Sequence, residues 1–173
     1  IDANHYPLPQ TERVCKGNRK IGLGIMGFAD LLIRLGIPYG SEEAVQTARE
    51  VMHFVEERAT TASVELAKER GVFPNFAGSI HDRRGGPRLR NATLTTIAPT
   101  GTLSMIANCS SGVEPVFALV YVRRILEGEE LPSIHPLFRA AARARGFCRD
   151  HLMREVAARG SVQGVAGVPD VSH

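Results

Sequence analysis

The chain has 173 residues and a formal net charge of +3, with 43% hydrophobic and 23% charged residues. These proportions are ordinary for a soluble globular chain with one core. No apolar run approaches the ~20 residues of a membrane-spanning helix, and no signal peptide is recognised. No stripe of basic and aromatic residues indicates a nucleic-acid surface. We therefore expect neither a membrane nor a nucleic acid as a partner.

The three cysteines, Cys15, Cys109 and Cys148, lie far apart and show no CxxC spacing. An odd number of scattered thiols is typical of a reducing compartment and argues against a zinc site or a disulfide framework. We therefore expect a cytoplasmic protein without a metal site.

Two short helices are predicted before the first clear break. Residues 11–20 are polar and favour a short helix. Apolar residues spaced along 21–36 predict a second helix, which ends at Gly36 because Pro38 prevents its continuation.

Three glycines in the second segment, Gly22, Gly24 and Gly27, spell GxGxxG, the pattern of dinucleotide-binding turns. A true fingerprint follows a buried strand, whereas residues 15–20 are polar. The favoured interpretation is a glycine-faced helix packed closely against a neighbour. A dinucleotide-binding module that uses these glycines is the alternative.

Ser41 opens the clearest helix of the chain. Two glutamates follow it, and apolar residues recur at helical spacing as far as Arg70, where Gly71 can end the helix. His53 lies beside the apolar stripe, and a lone histidine in that position predicts a structural or exposed side chain rather than a catalytic one.

Residues 72–90 form a predicted loop, punctuated by proline and glycine. It carries four arginines, Arg83, Arg84, Arg88 and Arg90. A solvated basic loop is the favoured interpretation, and a surface that faces an anionic ligand is the alternative.

A strand, a tight turn and a helix are predicted in succession over residues 92–107. Residues 94–97 favour a strand, which Pro99 ends, and residues 103–107 favour a short apolar helix. The first amides of a helix lack partners, and the positive end of its dipole attracts an anion. We therefore predict a phosphate site, aided by threonine and serine hydroxyls, at Pro99, Thr100, Gly101, Thr102, Leu103 and Ser104. An ordinary capped turn is the alternative.

The last third of the chain predicts one strand and two helices. Residues 116–122 are a near-continuous apolar run, typical of a strand buried on both faces in a parallel sheet. Residues 136–145 predict an amphipathic helix that ends at Gly146, and residues 149–159 predict another. Helices alternating with buried strands indicate an α/β layered fold, in which ligands bind at the carboxyl ends of strands. The predicted phosphate turn lies at such an end.

Several segments, in this order along the chain, resemble ribonucleotide reductases, most closely the adenosylcobalamin-dependent class. They are NRKIGLGIMGFADLL (18–32), GIPY (36–39), RGVFP (70–74), RN (90–91), IAPTGTLS (97–104), CSSGVEPVFA (109–118) and GSVQG (160–164). The resemblance extends over nearly the whole chain, and the ordered set is more specific than any one piece.

The resemblance implies an α/β fold that is part of a ten-stranded barrel, of which this chain would form part of the second half. It implies reduction of ribonucleotides to 2′-deoxyribonucleotides by a radical mechanism with adenosylcobalamin as cofactor. The segment that matches residues 99–104 holds the substrate phosphates in the family. The implied partners are a ribonucleotide, the remainder of the reductase chain, a thiol reductant such as thioredoxin, and a second copy in a homodimer.

The resemblance also places the radical chemistry outside this chain. In the family the radical cysteine lies between an asparagine and a glutamate in an upstream segment, and no Asn-x-Cys-x-Glu arrangement occurs here. Cys109 matches a structural or loop cysteine. We therefore expect no catalytic residue in this segment and no turnover by the chain alone. A non-catalytic scaffold remnant with an unused phosphate loop is the alternative.

The chain is expected to be a single partial segment of the barrel over residues 1–173, truncated at both ends. It starts at Ile1 rather than methionine, and residues 160–173 carry neither a helix stop nor a closing strand.

Overall fold

The computed structural model describes residues 1–124 and 130–169. Within these ranges the helices are α1 Pro9–Asn18, α2 Phe28–Leu35, α3 Glu42–Arg70, α4 Ile80–Arg83, α5 Gly101–Ala107, α6 Pro136–Ala144 and α7 Asp150–Arg159. A 3-10 turn spans Pro74–Phe76, and strands β1 Val120–Arg124 and β2 Glu130–Ile134 form a two-stranded sheet. No helix in this part of the chain has the length and apolar character required to cross a membrane.

Helix α3 confirms the prediction made from its two ends. The Ser41 side chain accepts a hydrogen bond from the amide of Ala44, which satisfies one of the unpaired donors of the first turn. Gly71 follows the last residue with φ of 81°, a backbone conformation that favours glycine. His53 is exposed on the helix surface, 3.8 Å from Glu57, as predicted.

Replacing Ser41 by alanine is expected to destabilise the protein by about 1 kcal/mol, because an unpaired amide then remains at the start of the longest helix. Urea unfolding followed by circular dichroism measures this change. Ser79→Ala is the matched control, since Ser79 caps only the four-residue α4, with a longer bond of 3.4 Å to the amide of Asp82. Equal losses for both variants would contradict the assignment.

The glycine-faced helix predicted over 21–36 is wrong in its first half, because α2 begins only at Phe28. Residues 21–23 instead lie extended beside 93–96. Leu23 forms a parallel bridge with Thr95, its amide donates to Leu94 O at 2.8 Å, and its carbonyl accepts from the amide of Thr96. The strand predicted over 94–97 therefore reduces to this single bridge.

Two of the three glycines do allow two chain segments to approach closely, but they lie in extended backbone rather than in a helix. A Cβ at Gly22 would lie 2.7 Å from Thr96 Cγ2, and one at Gly24 would lie 3.0 Å from Thr96 O. A side chain at either position would push the two segments apart. These two glycines therefore serve packing between segments.

The strand predicted over 116–122 is also partly wrong. Strand β1 begins only at Val120 and pairs antiparallel with β2, in a register that sets Tyr121 opposite Ser133. Val120 is buried, whereas Phe117 is 98% exposed. Helices α6 and α7 confirm the two predicted helices within a residue or two, and Gly146 follows α6 with φ of 76°.

Across residues 1–124 and 130–169, the buried apolar residues gather in three separate clusters rather than in one core. The first cluster contains Phe28, Leu32 and Ala44; the second contains Phe73, Phe76 and Leu89; the third contains Val120, Ala142, Phe147, Leu152, Met153, Val156 and Val165. The third cluster joins the β1–β2 hairpin to α6 and α7. Polar contacts and loops connect this C-terminal part to the first cluster. The candidate site lies among these connecting loops.

Candidate phosphate-binding site

The turn before α5 leads into the first backbone amides of that helix. Thr100 lies in the left-handed region with φ of 52° and turns the chain from Pro99 into the helix. Within the described residues no acceptor is bonded to the amides of Gly101, Thr102 or Leu103. Unpaired amides at a helix start can bind an anion.

The hydroxyls predicted to assist the amides are instead used inside the protein. Thr100 Oγ1 accepts a hydrogen bond from the amide of Gly112 at 2.8 Å. Ser104 is buried, and its Oγ donates to Gly101 O at 3.0 Å and lies 2.9 Å from Ser111 Oγ. These two side chains shape the turn, which leaves the amides and the exposed Thr102 as the groups facing outward.

Residues 108–115 form a loop, here called the serine loop, that lies against this turn. Its bonds to Thr100 and Ser104 hold it on one side, and the amide of Cys109 donates to Ser104 O at 3.0 Å. The backbone of Gly112 comes so close that a Cβ there would lie 2.6 Å from Ala98 O. The serine loop and the turn before α5 therefore form one packed unit.

The start of α2 holds the other side of the serine loop. The amide of Ser110 donates to Asp30 Oδ2 at 2.8 Å, and Ser110 Oγ accepts from the amide of Asp30 at 3.3 Å. The amide of Gly27 donates to Ser110 O at 2.8 Å. The amide of the third glycine of the GxGxxG pattern is thus bonded to the serine loop, which argues against a dinucleotide phosphate at this position.

A cavity of about 530 Å³ opens beside the unpaired amides. Its wall contains Gly101, Thr102, Ser104, Met105, Cys109, Ser110, Ser111, Glu114, Pro115, Val116, Phe117, Ala118, Tyr121 and His135. The volume lies within the usual range of small-molecule sites, ~300–1,000 Å³. Gly101, Thr102 and Ser104 of the predicted phosphate site therefore line a cavity of suitable size.

The sequence interpretation missed Asp30, Ser110, Gly112 and His135. They hold or line the site, yet none belongs to a local motif that signals such a role. The dense Ser-Ser-Gly run of the serine loop was the one available signal, since small polar residues indicate close backbone approach.

The arginines of residues 72–90 mostly have structural partners. Arg90 Nη1 donates to Arg70 O and Gly71 O at the end of α3, and Arg83 Nε donates to Gly78 O. Arg88 lies over the ring of Phe76. None of the arginines lines the cavity, so the structure gives no support to the alternative of an anion-facing arginine loop.

No group of three or more metal-ligating side chains occurs in residues 1–124 and 130–169. The three cysteines are free thiols, and Cys109 is the one that lines the cavity.

Comparison with known proteins identifies the class of protein to which this fold belongs. A family model described as "Ribonucleotide reductase, barrel domain" matches residues 1–88 and 82–172. The chain belongs to this family, which confirms the predicted fold class and the resemblance.

Curated relatives agree with the family model. A vitamin B12-dependent ribonucleoside-diphosphate reductase of Thermoplasma acidophilum is 50% identical over 165 residues, covering 95% of this chain and 21% of the relative. One from Mycobacterium tuberculosis is 49% identical over 169 residues, covering 98% and 24%. The chain thus spans roughly a fifth to a quarter of the length of these relatives.

A solved structure has the same fold. The Actinobacillus ureae class Id ribonucleotide reductase alpha subunit superposes with a TM-score of 0.74 at 25% identity, over 95% of this chain and 29% of that one.

Proposed function

We propose that residues 99–104 hold the phosphates of a ribonucleoside diphosphate within a reductase that converts it to the 2′-deoxyribonucleotide. One observation carries this proposal: three unpaired amides begin α5, and two of their residues line the 530 Å³ cavity. The diphosphate is proposed because the relatives at about 50% identity are named ribonucleoside-diphosphate reductases.

The chemistry of the site suits a phosphate. A charged hydrogen bond contributes roughly 1.5–3 kcal/mol, and the helix dipole adds ~0.3–1 kcal/mol for an anion at this end. Thr102 adds a hydroxyl at the cavity wall. In this proposal the chain binds and orients the substrate phosphates, and it supplies neither the radical cysteine nor the reducing thiols.

Adenosylcobalamin is the proposed cofactor of the whole reductase, since the relatives are named vitamin B12-dependent. When bound it supplies the radical chemistry. The 530 Å³ cavity does not fit it, because a corrin ring with its nucleotide tail is larger than the ligands that such cavities enclose. We therefore assign the cavity to the substrate.

The remainder of the reductase is the proposed partner of the apolar surface around the site. The large apolar side chains there are each more than half exposed: Ile97, Leu103, Met105, Ile106 and Phe117. Several large exposed apolar side chains around one site are typical of a contact surface rather than of an ordinary exterior. We also propose that the whole reductase uses a thiol reductant such as thioredoxin, forms a homodimer and lies in the cytoplasm. Residues 1–173 would form a single partial segment of its barrel.

Replacing Thr102 by glutamate tests the phosphate site, because it should change stability and binding in opposite directions. A carboxylate in the first turn of α5 favours the helix by ~0.3–1 kcal/mol. The same charge repels a phosphate at the amides, and at ~4 Å this repulsion lowers affinity by at least about tenfold. Calorimetric titration with cytidine diphosphate and thermal melting measure the two effects.

Thr11→Glu is the matched control, since Thr11 is an exposed residue in the first turn of α1 and does not line the cavity. It should leave nucleotide affinity unchanged. A wild-type chain that binds no cytidine diphosphate, or a Thr102→Glu chain that binds it equally well, refutes the proposed site. Binding of NAD in its place would favour the dinucleotide alternative.

A further inference from the structure

The cavity lies between two parts of the protein with separate hydrophobic cores. One wall is the turn before α5 with the serine loop, whose Val113 packs on the first cluster. Tyr121 and His135, next to residues of the third cluster, also line the cavity. The distance between these lining residues stays fixed only if a direct contact links the two parts of the protein.

A close polar contact between Asp30 and His135 makes that link. His135 precedes α6, its amide donates to Leu119 O at 2.8 Å, and its Nε2 lies 3.0 Å from Asp30 Oδ1. Both side chains are largely buried, with 14% of the His135 and 17% of the Asp30 side chain exposed. Asp30 sits in the first turn of α2, the helix whose Phe28 and Leu32 belong to the first cluster.

The same carboxylate holds the serine loop. Asp30 Oδ2 accepts from the amide of Ser110, and two residues further along the chain the amide of Gly112 donates to Thr100 Oγ1. A continuous chain of polar contacts thus runs from His135 through Asp30 and the serine loop to the residue that turns the backbone into α5. A shift of the carboxylate is therefore passed on to the turn.

The pair is not a saturated network. Within the described residues neither Asp30 Oδ1 nor His135 Nδ1 has an aligned hydrogen-bond partner, although both atoms are buried. A buried charge that loses its counterpart is costly and moves toward water where it can. Removing His135 should therefore pull Asp30 away from the amide of Ser110.

We propose that Asp30 and His135 are positioning residues for the phosphate site: their buried contact fixes the serine loop and, through it, the turn at Thr100. The inference rests on the proposed function for its effect on nucleotide affinity. Its effect on the serine loop does not depend on any ligand. Neither side chain needs to touch the phosphates, because the pair acts through Ser110 and Thr100.

Amide hydrogen exchange read by NMR tests the placement in Asp30→Asn and His135→Asn chains. The reporters are the amides of Cys109 and Gly112, which bond to Ser104 and Thr100 and not to the substituted side chains. We expect both to exchange roughly tenfold faster, the factor that corresponds to losing about one net hydrogen bond. The amide of Arg90, bonded to Ser63 near the second cluster, should keep its rate.

The exposed pair His53 and Glu57 provides matched controls. Its nitrogen–oxygen distance is 3.8 Å on the surface of α3, so His53→Asn and Glu57→Gln make the same chemical changes without a buried pair. Both should leave the rates of all reporter amides unchanged. A uniform rise in all amides, Arg90 included, would indicate a general loss of stability and overturn the inference.

Nucleotide affinity provides a second readout that a purely structural role would not move. At a temperature well below the melting point of each variant, cytidine diphosphate should bind roughly tenfold more weakly to both variants. Cytidine, which lacks phosphates, should bind equally to all chains. Unchanged Cys109 and Gly112 exchange, or faster exchange with unchanged diphosphate affinity, overturns the positioning role.

The hydrogen-exchange and titration experiments together distinguish a failure of this inference from a failure of the proposed function. A wild-type chain that binds no cytidine diphosphate refutes the phosphate site and with it the claim on affinity. The exchange rates then still decide whether the pair fixes the serine loop.

Discussion

Replacing Gly112 by alanine is expected to dislodge the serine loop and lower the affinity for a ribonucleoside diphosphate by at least about tenfold. The added Cβ would lie 2.6 Å from Ala98 O, a backbone atom that cannot rotate away. Gly112 also has φ of 46°. A non-glycine residue in this region costs roughly 1–2 kcal/mol, and overpacking adds ~1–3 kcal/mol. The clash is relieved if the serine loop moves away from Ala98, and this movement breaks the hydrogen bond from the Gly112 amide to Thr100.

Gly146→Ala separates the clash from the backbone strain. Gly146 has φ of 76°, but a Cβ there meets nothing within 4 Å. This control should lose stability by the strain alone and keep its nucleotide affinity. Calorimetric titration with cytidine diphosphate and urea unfolding of both variants give the comparison. Equal affinity in the wild-type and Gly112→Ala chains would show that the serine loop does not support the phosphate turn.

Helices α3, α6 and α7 were predictable from the sequence because their signals are local. Ser41 and Gly71 bracket α3, and each acts on backbone groups within a few residues of itself. The same holds for α6 with Gly146. Capping and helical spacing therefore determined these elements without knowledge of the fold.

The pairing of extended segments was not predictable in the same way. Gly22 and Gly24 lie in a helix-like pattern, and only their contact with Thr96, far away along the chain, makes them extended. Strand β2 was missed because Pro132 interrupts it, and proline normally argues against a paired strand. Its pairing with β1 makes the hairpin antiparallel, against the prediction from the apolar run.

The candidate site likewise contains residues with a local sequence signal and residues without one. The turn at residues 99–104 was predicted, because proline, glycine and a following apolar helix form a local signature. Asp30 and His135 were not, since they are far apart in sequence and become neighbours only in the fold. Each alone reads as an ordinary polar residue of a helix end or a loop.

Replacing Phe73 by alanine is expected to destabilise the protein by about 3–5 kcal/mol, the cost of removing a large buried aromatic side chain. Phe73 is 1% exposed, and its ring meets those of Phe76 at 5.4 Å and His81 at 5.9 Å, edge to face. Its amide donates to Leu89 O at 3.0 Å. The cavity left behind would loosen the second cluster.

Phe54→Ala is the matched control, since the same atoms are removed from a side chain that is 57% exposed on α3. The guanidinium of Arg58 lies over its ring, and for an exposed side chain the expected loss is within ~0.5 kcal/mol. Urea unfolding followed by circular dichroism gives both values. Because a domain of this kind has only ~5–15 kcal/mol of stability, the Phe73→Ala chain should unfold at a much lower urea concentration. Similar midpoints for the two variants would mean that the second cluster does not hold the end of α3 to the segment that leads into the phosphate turn.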